Sequence, residues 1–400
     1  MDLNNLKPHP IVVLGGGFGG LATVQALLAK SDQTPIILID QSPRFCFKPL
    51  LYELLSDELQ LWEVAPQYSS LASELGFIFL QERVVEVDEL QGQLITSSGT
   101  KLTYSQLVIS TGVTTDFSCV ENLQKYAYGF SNLNDLVKMK KVITKINNSF
   151  EHNNPLVISG AGPTGVELAC KIADLVDNKV EIYLVDRADK ILSKSKSFNR
   201  ESSIKAISNR NIKLYLQHYI KSIDKTFLEL SSTDNQINKT LKINYSNLVW
   251  TAGLKPSSLN IFDHFSDKNG RVKVNEFLQI DEYKNIFFVG DITFCESNPF
   301  PSSAQAAIQQ GCLTAQNIIS LRKRNKLKPF EFDDLGEMLS LGIGNASLTG
   351  YGITLAGPLA FKIRRLAYLM RNPGFSLSFK STASWLFSKK IINRLFFQYP

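Results

Sequence analysis

Two glycine-rich turns of the same kind constrain this chain more than any other feature. They are Gly15-Gly16-Gly17-Phe18-Gly19-Gly20 and Gly160-Ala161-Gly162-Pro163-Thr164-Gly165, 145 residues apart, each directly behind an apolar β-branched run. In such a turn the first glycine permits the tight strand-to-helix reversal, the second lets backbone approach a pyrophosphate, and the third lets helix pack on strand. The N-terminus of the following helix then stabilises the phosphate charge. A lone GxGxxG is weak evidence, so the flanking pattern carries the weight. In the first copy Ile11 to Leu14 reads as a buried parallel strand and Leu21 to Ala29 as the helix. Ile36 to Ile39 follows as a second strand ending at Asp40, 25 residues past Gly15, where a ribose hydroxyl acceptor belongs. The second copy repeats the plan with Leu156 to Ser159, a helix from about Pro163, and Val180 to Val185 ending at Asp186, 26 residues past Gly160. A chain of this design holds two dinucleotides.

Composition narrows the setting. With 400 residues, 44% hydrophobic and 20% charged, the chain is ordinary globular material for two or three domains. Met1 to Pro10 has no apolar core segment, so no signal peptide is expected, and no apolar run approaches the ~20 residues of a spanning helix. Cys46, Cys119, Cys170, Cys295 and Cys312 show no CxxC spacing. That pattern argues against a redox disulfide, a zinc site and an iron–sulfur cluster, and no metal is expected; most of these thiols read as buried small hydrophobes. His9, His152, His218 and His264 are isolated. The net charge of +6 hides an asymmetry: every acidic residue lies at or before Glu337, and the last 63 residues carry eight cations and no acid. Those cations alternate with large apolar residues at helical spacing, which points away from nucleic acid.

The rest of the chain repeats the plan. Val84 to Val87, Gln93 to Thr96 and Lys101 to Thr103 read as a β-meander. Leu107 to Ser110 is a buried strand closing on Thr111-Gly112, and Leu248 to Thr251 is its counterpart, closing on Ala252-Gly253. Internal duplication is the economical reading. Ile286 to Val289 is a further strand before Gly290-Asp291, and a long helix runs from about Ser303 to Leu321.

At these residues the chain resembles the two-dinucleotide-binding-domain flavoproteins, and within them the type II NADH dehydrogenases, single-chain NAD(P)H:quinone oxidoreductases. The marks are the paired glycine turns, Thr111-Gly112, Val289-Gly290-Asp291 and Ala304-Gln305-Ala306-Ala307-Ile308-Gln309, which is similar to an AQxAxQ pattern. The resemblance implies an α/β fold with two Rossmann-like dinucleotide-binding domains and a C-terminal membrane-associating region. An FAD domain at 1–120 and 275–325 would be interrupted by an NAD(P)H domain at 121–274, with a hairpin and basic helices at 326–400. Non-covalent FAD would rest on Gly15, Gly17, Phe18, Gly19, Gly20, Asp40, Gln41, Thr111, Gly112, Asp291 and Ala304. NADH or NADPH would rest on Gly160, Gly162, Pro163, Thr164, Gly165, Asp186, Arg187, Ala252 and Gly253.

The implied chemistry needs no protein nucleophile, because a flavin couples a hydride donor to a quinone. Gln305 and Gln309, four apart on one helical face, would offer amide donors to a quinone's carbonyl oxygens; the competing reading is a pair of solvent-facing glutamines. Glu167 would lie near the nicotinamide, or serve only as a helix-dipole carboxylate. Phe47-Lys48-Pro49-Leu50-Leu51 resembles the segment beside the flavin ring, though lysine departs from the usual uncharged residue, and Lys48 is expected to touch the flavin. Asp186 suits NADH, whereas adjacent Arg187 could attract a 2′-phosphate.

Met338 to Leu355 reads as a glycine-rich hairpin. Pro358 then starts a helix with Leu359, Ile363, Leu366 and Met370 as an apolar stripe, flanked by Lys362, Arg364, Arg365 and Arg371. A second stretch puts Trp385, Ile391, Ile392, Leu395 and Phe396 opposite Lys389, Lys390 and Arg394. Such helices lie in a headgroup plane and meet anionic lipid, which predicts a peripheral protein on the cytoplasmic or stromal-equivalent face of a membrane. A docked or dimerising helix, and hence a homodimer, stays open. The rival functions are a sulfide:quinone oxidoreductase, which needs cysteines flanking the flavin, and a flavin- and NADH-binding signalling or scaffold protein. Within the family, reduction of a naphthoquinone such as demethylphylloquinone stands beside a respiratory or plastoquinone role.

Overall fold

The structure is a computed structural model that describes residues 6–30, 33–149, 153–234, 240–257, 265–371 and 373. His152, His264 and the second basic stretch around Trp385 lie outside the described residues. The chain divides into two compact units, the described residues within Met1–Phe47, Ala65–Thr114 and Lys255–Asp334 forming one and those within Lys48–Val64, Thr115–Leu254 and Leu335–Pro400 the other. This division assigns 48–64 and 335–371 to the unit of the second glycine turn, and 255–274 to that of the first.

The first unit is built on a six-stranded sheet in the order Gln279–Ile280, Tyr283–Phe288, Gln106–Ile109, Ile11–Leu14, Ile36–Asp40, Ile78–Gln81. All pairs are parallel except Gln279–Ile280. Ile11–Leu14 is central and buried on both faces, which is why it reads as an unbroken β-branched run. One face, through Val12, Leu14, Ile37 and Ile39, packs on Val84, Val87, Leu94 and Leu102 of the antiparallel strands Val84–Asp88, Gln93–Thr96 and Lys101–Thr103. Helices Phe18–Leu28 and Ala304–Arg322 meet where Gly311 lies against Gly19: a Cβ on Gly311 would stand 2.4 Å from the Gly19 carbonyl. Small residues in the AQxAxQ helix therefore set this close crossing.

The second unit carries a five-stranded parallel sheet in the order Ile212–Tyr215, Ile182–Val185, Leu156–Ser159, Asn247–Trp250, Ala127–Tyr128. An antiparallel layer, His218–Ile223, Phe227–Ser232 and Thr240–Asn244, covers one face through Ile220, Leu228, Leu230 and Ile243. The segment read as one hairpin forms three antiparallel strands, Glu337–Ser340, Ala346–Gly350 and Ile353–Gly357. The extra reversal comes from the glycines: Gly342 and Gly344 turn the chain once and Tyr351-Gly352 again, all at positive φ. Helix Pro358–Leu369 follows.

Candidate functional site

Each unit holds one glycine-rich turn, and the two are built alike. Gly15 and Gly160 adopt φ of +89° and +108°, the left-handed region that glycine occupies without strain. A Cβ on Gly20 would lie 2.0 Å from the Gly15 carbonyl oxygen, and one on Gly165 only 1.8 Å from that of Gly160. By contrast, Gly17 would meet nothing nearer than 4.0 Å and Gly162 nothing within 4 Å. The third glycine is thus required by helix–strand packing, and the second leaves open space beside the backbone. Neither Phe18–Leu28 nor Pro163–Leu175 has a side-chain N-cap or an acidic residue in its first turn. Helices Leu133–Asn147 and Ala304–Arg322, in contrast, are capped by Asn132 and Ser303. The donors of the two glycine-turn helices stay available to an anion.

The two aspartates repeat a shared lock. Asp40 accepts from the Gly16 amide and the Ser42 amide, both at 2.7 Å. Asp186 accepts from Ala161 at 2.5 Å and from Ala188 at 2.8 Å. Burial raises the Asp40 carboxyl above its usual range, and the two amides oppose that rise. Each oxygen keeps lone-pair capacity for a ribose hydroxyl. Ser110 and Thr251 are also equivalent. The Ser110 hydroxyl lies 2.9 and 2.8 Å from the Leu14 and Gly15 carbonyls, and that of Thr251 lies 2.8 and 3.3 Å from those of Ser159 and Gly160. The sequence reading passed over them, although a hydroxyl residue just before the small-residue-plus-glycine closure in both halves was a legible signal. Gln41 and Arg187 are exposed, and the Arg187 guanidinium lies 5.0 Å from the Tyr219 ring centre.

Elsewhere in the first unit, Thr111 donates to the Ser257 carbonyl at 3.0 Å and Gly112 accepts from the Ser257 amide at 2.9 Å. Asp291, Ala304 and Gln305 are half-buried. Gln309 departs from its expected role. Its amide nitrogen donates to the Asp333 carbonyl at 2.8 Å and its oxygen accepts the Asp333 amide at 2.9 Å, which makes it a clasp on the chain rather than a displayed donor. Gln310, which the sequence reading missed, accepts from Gly290 at 2.7 Å, while its buried Nε2 has no hydrogen-bond partner among the described residues. An unsatisfied donor beside Gly290-Asp291 fits a bound polar ligand.

In the second unit Glu167 is neither exposed nor a simple helix-dipole carboxylate. It is 6% exposed, accepts the Ser340 amide at 2.7 Å, lies 3.4 Å from Arg364 Nη2 and sits beside the buried Tyr52 hydroxyl. Burial pushes its carboxyl up to about 7, against the pull of Arg364 and of the Ser340 amide. The same helix face continues the pattern: Lys171 pairs with Glu58 at 2.5 Å, and Asp174 holds Arg210 at 2.7 Å and the Ile343 amide at 2.8 Å. Positions 167, 171 and 174 thus bind Pro163–Leu175 to its neighbours through polar pairs.

Arg364 also corrects the sequence reading. Rather than flanking the helix as a solvated cation it is 1% exposed, bound to Glu53 at 2.5 Å and to the Pro49 carbonyl at 2.7 Å. Burial is the largest single influence and disfavours its charge, but Glu53, Tyr368 and Glu167 together outweigh it and raise its pKa. The apolar stripe faces outward, with Leu359 at 58%, Ile363 at 43%, Leu366 at 38% and Met370 at 71% exposure. Lys48 is exposed in the turn Lys48–Leu50. The cysteines depart from expectation too. Cys170 and Cys295 are buried, but Cys119 and Cys312 are exposed and Cys46 is half-buried.

The pyridine nucleotide-disulphide oxidoreductase family matches residues 9–311. The demethylphylloquinone reductase NdbB of Synechocystis sp. is 34% identical over 397 residues, which cover 96% of this chain and 97% of that protein. The alternative NAD(P)H-ubiquinone oxidoreductase C1 of Arabidopsis thaliana is 31% identical over 434 residues, covering 98% of this chain and 83% of that protein. Among solved structures, NDH2 from Plasmodium falciparum in complex with NADH superposes with a TM-score of 0.84 at 18% identity, over 98% of this chain and 99% of that one, and so shares its fold. The chain therefore belongs to the pyridine nucleotide-disulphide oxidoreductase family, and within it to the type II NAD(P)H:quinone oxidoreductases.

Proposed function

We propose that this oxidoreductase holds FAD in the first glycine-rich turn and NAD(P)H in the second, and passes two electrons to a membrane quinone without pumping protons. The observation that carries the reading is the duplicated cradle: an uncapped helix N-terminus, an open middle glycine and an aspartate fixed by two backbone amides, present in both units. Bound there, a flavin supplies the relay between a hydride donor and a two-electron acceptor. Asp40 would take the ribose of its adenosine, Gly17 and the amides of Phe18 to Gly20 its pyrophosphate, and Asp291 its ribityl chain. The Gln310 amide is positioned to satisfy a polar atom of the same ligand. Lys48 and Gln305 remain candidates for contact with the flavin and the quinone. A naphthoquinone of the demethylphylloquinone class is the preferred acceptor, in keeping with the 34% identical relative.

Asp186 and Arg187 would decide between the coenzymes. Steady-state oxidation of NADH and NADPH against a panel of benzo- and naphthoquinones tests both the reaction and the choice. Asp186→Ser is expected to raise the NADPH-to-NADH ratio of kcat/KM by about tenfold, and Arg187→Ala to lower it by a similar factor, the size of one charge-assisted hydrogen bond. Coenzyme binding with no quinone-dependent turnover would favour the signalling alternative.

The helix Pro358–Leu369 supports peripheral attachment to an anionic membrane. Arg364 points in while Leu359, Ile363 and Leu366 point out, the reverse of a helix whose outer face meets water alone. No helix among the described residues is long and apolar enough to cross a bilayer. Because Leu359 and Ile363 are exposed, Leu359→Glu and Ile363→Glu should leave stability within about 0.5 kcal/mol. Each is expected to weaken binding to phosphatidylglycerol vesicles by about tenfold or more in a sedimentation assay. Unchanged sedimentation would count against this face.

A further inference from the structure

A continuous set of contacts within the second unit joins the glycine-rich turn to the C-terminal helix. The buried Tyr52 hydroxyl lies beside both Thr164, in the turn itself, and Glu167, and interacts with each. Glu167 lies 3.4 Å from Arg364, and Arg364 is gripped from the other side by Glu53 at 2.5 Å. Tyr52, Glu53, Glu167 and Arg364 are all buried. In such surroundings each group depends on its neighbour for compensation, and displacing one member disturbs the next.

The set is also incompletely satisfied. Glu53 Oε2 and Arg364 Nε are buried and have no hydrogen-bond partner among the described residues. The guanidinium thus touches two carboxylates and uses neither in a full fork, which leaves it two competing partners. The rest of the inward face of the Pro358–Leu369 helix is apolar at its fully buried positions, Ala360 and Leu369. Arg364 is therefore the buried polar anchor of this helix.

We propose that Arg364 is a positioning residue which, through Glu167 and Tyr52, couples occupancy of the second glycine-rich turn to the stability of helix Pro358–Leu369. The proposal rests on the reading of that turn as the NAD(P)H site. A dinucleotide that fixes Thr164 fixes Tyr52 and Glu167 in turn, and biases Arg364 toward one of its two carboxylates. Linkage makes the effect reciprocal, so whatever engages the outward face of the helix alters nucleotide affinity by the same factor.

Backbone amide hydrogen exchange of the full chain, with and without saturating NADH, tests this directly. NADH is expected to slow exchange at 161–167 and, through the coupling, at 360–369 by about fivefold or more, the scale of ordinary coupling between sites. In Tyr52→Phe, which removes one oxygen, that factor should fall to near one while NADH still protects 161–167. Glu167→Gln provides a second variant should Tyr52→Phe fold poorly. Protection of 161–167 with no change at 360–369 in the unaltered chain would overturn the coupling and leave the nucleotide site standing. Protection of neither segment would remove the nucleotide assignment, and the coupling with it.

Discussion

Gly165→Ala is expected to yield a chain that neither folds stably nor binds NADH, whereas Gly162→Ala should keep the fold and lose only the nucleotide. The first methyl group would be driven to 1.8 Å from the Gly160 carbonyl oxygen, a backbone atom that cannot rotate away. Helix Pro163–Leu175 would have to lift from strand Leu156–Ser159, at a cost of about 4 kcal/mol or more. At Gly162 the φ of −73° suits any residue and no atom lies within 4 Å. The methyl instead occupies the space beside the exposed amides, where a pyrophosphate would approach. Thermal unfolding and NADH titration of the two variants separate packing from binding. Gly20→Ala and Gly17→Ala should behave in the same paired way toward FAD retention.

Arg364→Met carries the second large effect. It leaves Glu53, which is 0% exposed, and Glu167 buried without their cation. Breaking a buried pair from one side costs about 3–5 kcal/mol, so the melting temperature should fall by about 10 °C. The loss should also depend on pH. Glu167 holds its proton up to about 7 in the folded chain, against an ordinary carboxyl value of 4.5. The folded state therefore binds more protons than the unfolded one between these values, and stability falls as pH rises through that window. Arg364 pulls the carboxyl down, so its removal raises the folded value and extends the window above pH 7. The gap between Arg364→Met and the unaltered protein should be smaller at pH 5 than at pH 8, and Glu167→Gln in the same background should narrow the alkaline gap. A gap that is independent of pH would contradict the described charge cluster.

The strands and glycine turns were legible because their signals are local. Ile11–Leu14 and Leu156–Ser159 are unbroken apolar runs, and the turn glycines sit where backbone geometry requires them. Asp40 and Asp186 were found by spacing alone, although the amide pairs that fix them were not, since those bonds close only when the turn folds back on the strand end. The charge cluster was illegible for a different reason. Arg364 sits at helical spacing among other cations and reads as part of a solvated face, and its partner Glu53 lies 311 positions earlier. Likewise, Glu167, Lys171 and Asp174 on one helix face look like an ordinary polar stripe until the 337–357 strands are laid against it. Gln309 shows the same limit: its position in the AQxAxQ pattern was visible, and its clasp on Asp333 was not.

The most direct test is an anaerobic titration of the purified full-length protein. A yellow preparation with stoichiometric, non-covalent FAD should be bleached by NADH and regain its colour on addition of a naphthoquinone. A colourless polypeptide that takes up no flavin, or a bound flavin whose absorbance neither NADH nor NADPH changes, would contradict the assignment of the two cradles.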